Sequence, residues 1–367
     1  MDLLDQVDMD TALSLAGPDG TEFPVSGAMV TLGSSSTVII ADPGDDPAAS
    51  GVWNDQEFCL VGPAPAPVVS RLAGPMPFTT VGTPPQQLVH LFFRLDGGCL
   101  YLGTGQVSMC ETHEDELIRC HLRISQPLSR EILDRVRPPA IPPPLPALDW
   151  LDDVRTNPGQ ALERFLTSWY PATNIQAPAA DIPGSVPRAL ADFHRLAAQR
   201  PAILGSHNRI EPISEVRTDS RAERLIFAVE CQGCWTWSIP WEPGAADTDP
   251  TVWFEESHPV PEQEPLSRFL LQFSLWEAAQ GAVYQASCHE LPRKHLPAFE
   301  RCLQRVPLRP FLLAPDAPTH FLVAPGLVAA VVPSLSDGKV DIEIGAQHRS
   351  TLQQLNQLSI PWRHFDG

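Results

Sequence analysis

Apolar positions change their period partway along the chain. Over roughly the first third they fall in short alternating runs bounded by Gly, Pro, Asn and Asp. Val25–Leu32 and Thr37–Ala41 have strand composition, and the apolar runs at Leu88–Leu95 and Cys99–Gly103 flank Asp96-Gly97-Gly98, a hairpin signal. The first helical pattern in this part is Leu128–Val136. Beyond residue 149 the spacing becomes helical: Leu162, Phe165, Leu166 and Trp169 follow an Asn157-Pro158 start, and Leu190, Phe193 and Leu196 mark a second helix ended by Pro201. Leu225–Glu230 and Cys234–Ile239 then alternate across Cys231-Gln232-Gly233, which predicts a hairpin. Leu266, Phe269, Leu270 and Phe273 predict a further helix ended by Gly281, and Pro297–Arg305 a short one. His320–Val323 with Val328–Val332 predict another hairpin, Val340–Ile344 a strand and Thr351–Leu358 a last helix.

Between the two patterns lies Pro138–Pro146, in which six of nine residues are proline. Such a run fixes φ, removes backbone donors and favours an extended polyproline-II spacer. The pattern therefore divides the chain into a β-rich domain over 1–137, a proline-rich linker over 138–148 and a third segment over 149–367. The fold class expected is α+β: a small sandwich or barrel first, then helices around an antiparallel sheet.

Charge narrows the choice of partner. The chain of 367 residues carries 25 Lys and Arg against 44 Asp and Glu, a net charge of −19. An acidic molecule repels phosphate backbones and anionic bilayers, so neither nucleic acid nor membrane is expected as a partner. The excess is confined to two stretches. Eleven acids and no Lys or Arg lie between Met1 and Ser70, and eight acids with no such base lie between Arg224 and Arg268. Acids at positions 2, 5, 8 and 10 occupy the place where a signal peptide needs positive charge, and the apolar stretch Ala317–Ser336 is cut by prolines. With eight cysteines at irregular spacing, the expectation is a cytoplasmic protein without a disulfide framework.

Candidate chemistry is sparse. Cys231-Gln-Gly-Cys234 has the spacing of half a zinc site or a redox pair, but it straddles a predicted turn and lacks a partner motif. Cys110 and His113 with Cys120 and His121 offer four zinc-type ligands, yet adjacent residues on a strand face opposite sides. No GxSxG or HExxH occurs, and Gly103-Thr-Gly105 lacks the third glycine of a dinucleotide site. His289-Glu290 lies among loop-like residues and reads as a solvated pair. Neither a cofactor nor a metal is expected.

Four tryptophans cluster near the second hairpin: Trp235 and Trp237 share one strand face with Ile239, and Trp241 and Trp253 lie just beyond. One face rarely buries so many rings, so Trp241 or Trp253 is expected to anchor a partner at the surface. Asp247, Asp249, Glu255, Glu256, Glu262 and Glu264 surround them in the sequence and predict an acidic rim that steers a basic partner.

Several segments of the third part, taken in order, resemble the SUKH superfamily of bacterial toxin-immunity proteins and yeast cell-wall-synthesis regulators. They are Ile182-Pro-Gly-Ser-Val-Pro-Arg-Ala-Leu190 with Phe193, Asn208-Arg-Ile-Glu-Pro212, Leu225–Glu230 running into Gln232-Gly233 and Trp237, Asp249-Pro250-Thr-Val252, the helix Leu266–Ala279, and Trp362. The resemblance spans about 161–362 and departs from the family pattern at Cys231, Cys234 and the insertion Arg301–Pro318. It implies a SUKH-like domain in an immunity protein that neutralises a bacterial toxin, of nuclease or deaminase type, by direct binding. Two alternatives come from other classes: a regulatory scaffold for an endogenous partner, and an enzyme whose site leaves no local motif.

Overall fold

In the computed structural model the described residues are 4–43, 50–73, 88–113, 116–136, 144–173, 186–241, 247–256, 258–312, 317–358 and 360–367. They fall into two compact units, Met1–Ile141 and Pro142–Gly367. Residues 138–143 of the proline spacer and 182–185 of the SUKH-like opening lie outside the described set.

In the first unit, β1 (Gln6–Val7) and α1 (Met9–Ser14) precede β2 (Thr21–Val25), β3 (Ala28–Leu32) and β4 (Thr37–Ala41). β5 (Gly51–Asn54), β6 (Glu57–Val61) and α2 (Ala66–Ala73) come next, followed by β7 (Val89–Leu95), β8 (Gly98–His113), β9 (Glu116–Ile124) and α3 (Arg130–Val136). The strands form one nine-stranded sheet in the order β2-β3-β4-β7-β8-β9-β6-β5, with β1 on β8. This is a curled half-barrel with two edges, where a small sandwich or barrel was expected. Apolar layers cover both faces. Ile39, Phe58, Leu91 and Leu122 pack with Val68 and Leu72 of α2 and with Ile132 of α3. Val38, Ile40 and Phe92 pack with Ala12 of α1. Burial on both sides explains why β4 reads as an unbroken apolar run, and why it can pair in parallel with β7. α1 and α2 are too short for a clear helical period; the start of α1 is set by the Asp8 carboxylate, which accepts from the Thr11 N–H at 2.7 Å.

The second unit opens with α4 (Pro158–Trp169) and α5 (Arg188–Ala197), close to the expected helices. β10 (Asn208–Ile210), β11 (Arg217–Thr218), β12 (Arg224–Glu230), β13 (Thr236–Pro240), β14 (Thr251–Glu255) and β15 (Pro259–Pro265) form a six-stranded sheet in the order β10-β12-β13-β14-β15, with β11 on β12. After α6 (Leu266–Gly281) come β16 (Tyr284–Pro292), α7 (Leu296–Cys302), β17 (Gln304–Arg305) and β18 (Phe311–Leu312). The chain continues through β19 (Pro318–Ala324), β20 (Leu327–Pro333) and β21 (Lys339–Ala346) to α8 (Arg349–Leu352) and β22 (His364–Phe365). Their sheet runs β17-β19-β20-β21-β16-β22, with β18 on β19. The unit is thus α+β with two antiparallel sheets where one was expected.

α6 organises this unit. Thirteen of its residues, from Leu266 to Ala279, are buried, and it packs on α4, α5 and strands of both sheets. A helix that is apolar nearly all round belongs in a core. Gly345 on β21 permits the approach: a Cβ there would lie 2.0 Å from the Ala278 carbonyl oxygen. Leu148 packs against the same core and Leu145 lies over Gly326, so the described end of the proline-rich segment is joined to this unit. No helix among the described residues is long and apolar enough to cross a membrane.

Candidate partner-binding surface

Register along β12, β13 and β14 sorts the tryptophans. Trp237 and Ile239 point inward, fully buried, and Trp235 packs beside them at the margin. The Trp237 ring lies about 6 Å from each of Phe254, Phe269 and Phe273, and Phe311 stacks on it at 6.3 Å and 14°. Phe311 lies in Arg301–Pro318, the segment that the SUKH resemblance does not cover, and its ring closes the aromatic cluster. Trp241, expected as a surface anchor, is half-buried and packs against the same core.

The opposite face of the sheet carries the other candidate. Trp253 stands across from Ser238 on β13. The Arg224 guanidinium lies over its ring, 4.5 Å from the centroid, a cation–π arrangement. Arg224 Nη1 also reaches Glu255 Oε1 at 3.2 Å, and the Ser238 hydroxyl donates to the same carboxylate. Strand alternation places Trp253 and Glu255 together, two residues apart. Arg224 was not singled out from the sequence, because its contact depends on the β12–β13–β14 register.

The acidic rim is smaller than the sequence predicts, and two of its expected members require correction. Glu262 and Glu264 are each 4% exposed and cannot steer a partner in solution. Glu262 accepts from Trp237 Nε1 at 3.1 Å and from the Leu312 N–H at 3.2 Å, and burial pushes its carboxyl up to about 8. Glu264 pairs with Arg268 at 2.9 Å and accepts from the Arg309 N–H at 2.8 Å. Asp249 accepts from the Ser267 N–H and hydroxyl at 2.8 and 2.7 Å, satisfying the first turn of α6. Only Asp247 and Glu256 of the six acids are exposed without such a role among the bonds described. The two arginines that bracket the base-free stretch fold back onto it, Arg224 to Glu255 and Arg268 to Glu264.

The cysteine motifs resolve into separate settings. Glu230 accepts from the Gln232 and Cys234 N–H groups at 2.9 and 3.2 Å and from the Cys231 thiol at 2.9 Å, so its carboxylate closes the hairpin turn while both thiols are exposed. Cys120 is buried in the first unit's core, whereas His121 projects from the other face and pairs with Glu57 at 2.8 Å. The two do not converge, and the side chain of His113 lies outside the described set. Among the described residues no group of three or more His, Cys, Asp and Glu is placed to hold a metal ion. The pair read as solvated, His289 and Glu290, is indeed exposed, with His289 on Glu343 at 3.0 Å and Glu290 on Lys339 at 3.1 Å.

No protein-family model matches the chain, and no curated protein matches its sequence.

Proposed function

We propose that the protein acts by binding another protein, and that its partner is a bacterial toxin whose active site or substrate path it occludes. The observation that carries this reading is the Trp253–Arg224–Glu255 constellation on the outer face of the six-stranded sheet. Trp and Arg dominate the energetics of protein interfaces, because a large ring with a polar rim gains from desolvation at little entropic cost. Exposed Asp247 and Glu256 add negative charge in the neighbouring segments and favour a basic contact region on the toxin. The immunity role is motivated by the SUKH resemblance of about 161–362, a region in which residues 158–281 form two helices, an antiparallel sheet and a helix. No cofactor enters this mechanism; a stoichiometric complex is sufficient.

The test is protection. The C-terminal region of a large toxin-like protein encoded directly upstream is induced in a heterologous host with and without this chain. Restored growth together with a stable complex of the two purified proteins supports the reading. Unrelieved toxicity with this chain present and folded contradicts it.

A further inference from the structure

Cys110 and Cys120 face each other in direct register across the hairpin of β8 and β9. Their sulfurs are 3.0 Å apart and share a hydrogen bond. That separation is only about 1 Å longer than an S–S bond of about 2.05 Å. Residues directly opposed on antiparallel strands have Cα atoms about 4.5–5.5 Å apart, inside the roughly 4.4–6.8 Å that a disulfide spans. Backbone and side chains therefore already stand where the bond needs them. Other thiols nearby do not share this geometry: Cys59 is in register with His121, on the face away from Cys120.

We propose that Cys110 and Cys120 are a redox modification site, closed into an intrachain disulfide by exchange with a small-molecule disulfide of the glutathione type and reopened by thiols. Exposure orders the steps: Cys110 is partly open to solvent, whereas Cys120 is buried. Cys110 loses its proton to water and its thiolate attacks one sulfur of the small disulfide, forming a mixed disulfide and expelling one small thiolate. Cys120 then gives up its proton, and its sulfur attacks that of Cys110. The protein S–S bond forms, the mixed bond breaks, and the second small thiolate leaves. Two electrons pass from the protein thiols to the small disulfide, which ends as two thiols. The shared hydrogen bond lowers the Cys110 thiol and, with burial, raises that of Cys120, in keeping with Cys110 as the attacking group. In a reducing compartment the pair rests open and closes only when small disulfides accumulate.

The experiment uses the full chain, reduced, freed of reductant and exposed to glutathione disulfide. After acid quenching and alkylation it is digested with trypsin, which cuts after Arg119 and separates the two cysteines. The expected product is a peptide pair joined through Cys110 and Cys120, two hydrogens lighter than its parts and lost on treatment with dithiothreitol. Cys59→Ser should leave this link intact, and Cys120→Ser should trap glutathione on Cys110. A persistent glutathione adduct on Cys110 of the unmodified chain would overturn the proposal. Full alkylation of both thiols, or a link from either to another cysteine such as Cys231 or Cys234, would do the same.

Discussion

At the scale of single residues, Glu262 makes the most readable prediction. Burial raises its carboxyl from 4.5 to about 8, so the folded chain keeps a proton that the unfolded chain has already released over that range. Its contribution to stability is therefore complete below pH 4.5 and is lost as the pH climbs to about 8. Each unit of difference is worth about 1.4 kcal/mol, which puts the whole effect at a few kcal/mol. Buried His194, held down to about 4, acts in the opposite sense and removes stability as the pH falls from 6.5 toward 4. Glu262→Gln carries no charge at any pH. Urea unfolding at a series of pH values should show the wild type losing stability relative to this variant between about pH 5 and pH 8; a constant gap would mean that the carboxyl is not held neutral.

At the scale of elements, two segments depend on single side chains from elsewhere in the second unit. Phe311 is fully buried against Trp237, so Phe311→Ala should cost about 3–5 kcal/mol by leaving a cavity beside the aromatic cluster. Glu277 of α6 accepts from the Ser206, His207 and Asn208 N–H groups at 2.8, 2.9 and 2.7 Å. Gly205 makes this possible, with φ of +93° and a Cβ position only 2.1 Å from the Asn208 carbonyl oxygen. Glu277→Ala leaves the buried Asn208 donor unpaired and should cost roughly 1–3 kcal/mol in chemical denaturation, with Glu277→Gln less affected. A neutral result would place water, not the carboxylate, as the effective partner.

These two contacts also mark where the sequence stops being legible. The helices α4, α5 and α6 and the hairpins β12–β13 and β19–β20 follow from local period and punctuation, and each lies within a few residues of its expected place. α1, α2 and the two-residue strands β17 and β18 do not, because their apolar residues answer to distant neighbours and not to their own period. The same limit applies to the surface. That Trp235, Trp237 and Ile239 share one face was readable from alternation. The burial of Glu262 and Glu264, by contrast, depends on Phe311–Leu312 and Arg309 closing over β15, a contact with no local signature. Arg224 over Trp253 is equally a product of register.

At the scale of the whole molecule, the division into Met1–Ile141 and Pro142–Gly367 predicts that the second unit folds alone. Because Leu148 packs into its core, the fragment should begin at Pro142. A cooperative thermal transition of the isolated 142–367 fragment is expected; an insoluble or molten product, with the full chain soluble, would mean that the units share a core. Charge acts at this scale as well. With Glu262 and Glu264 buried, the proposed steering falls to the exposed Asp247 and Glu256. Asp247→Asn with Glu256→Gln should lower the association rate and flatten its dependence on salt, while leaving dissociation nearly unchanged. An unaltered salt dependence would place the steering charge elsewhere. The most direct measurement on the proposed toxin complex is the dissociation rate of the complex formed by Trp253→Ala. A lost aromatic anchor worth about 2 kcal/mol should speed dissociation roughly thirtyfold with little change in association. A dissociation rate equal to that of the wild type would contradict binding through this face of the sheet.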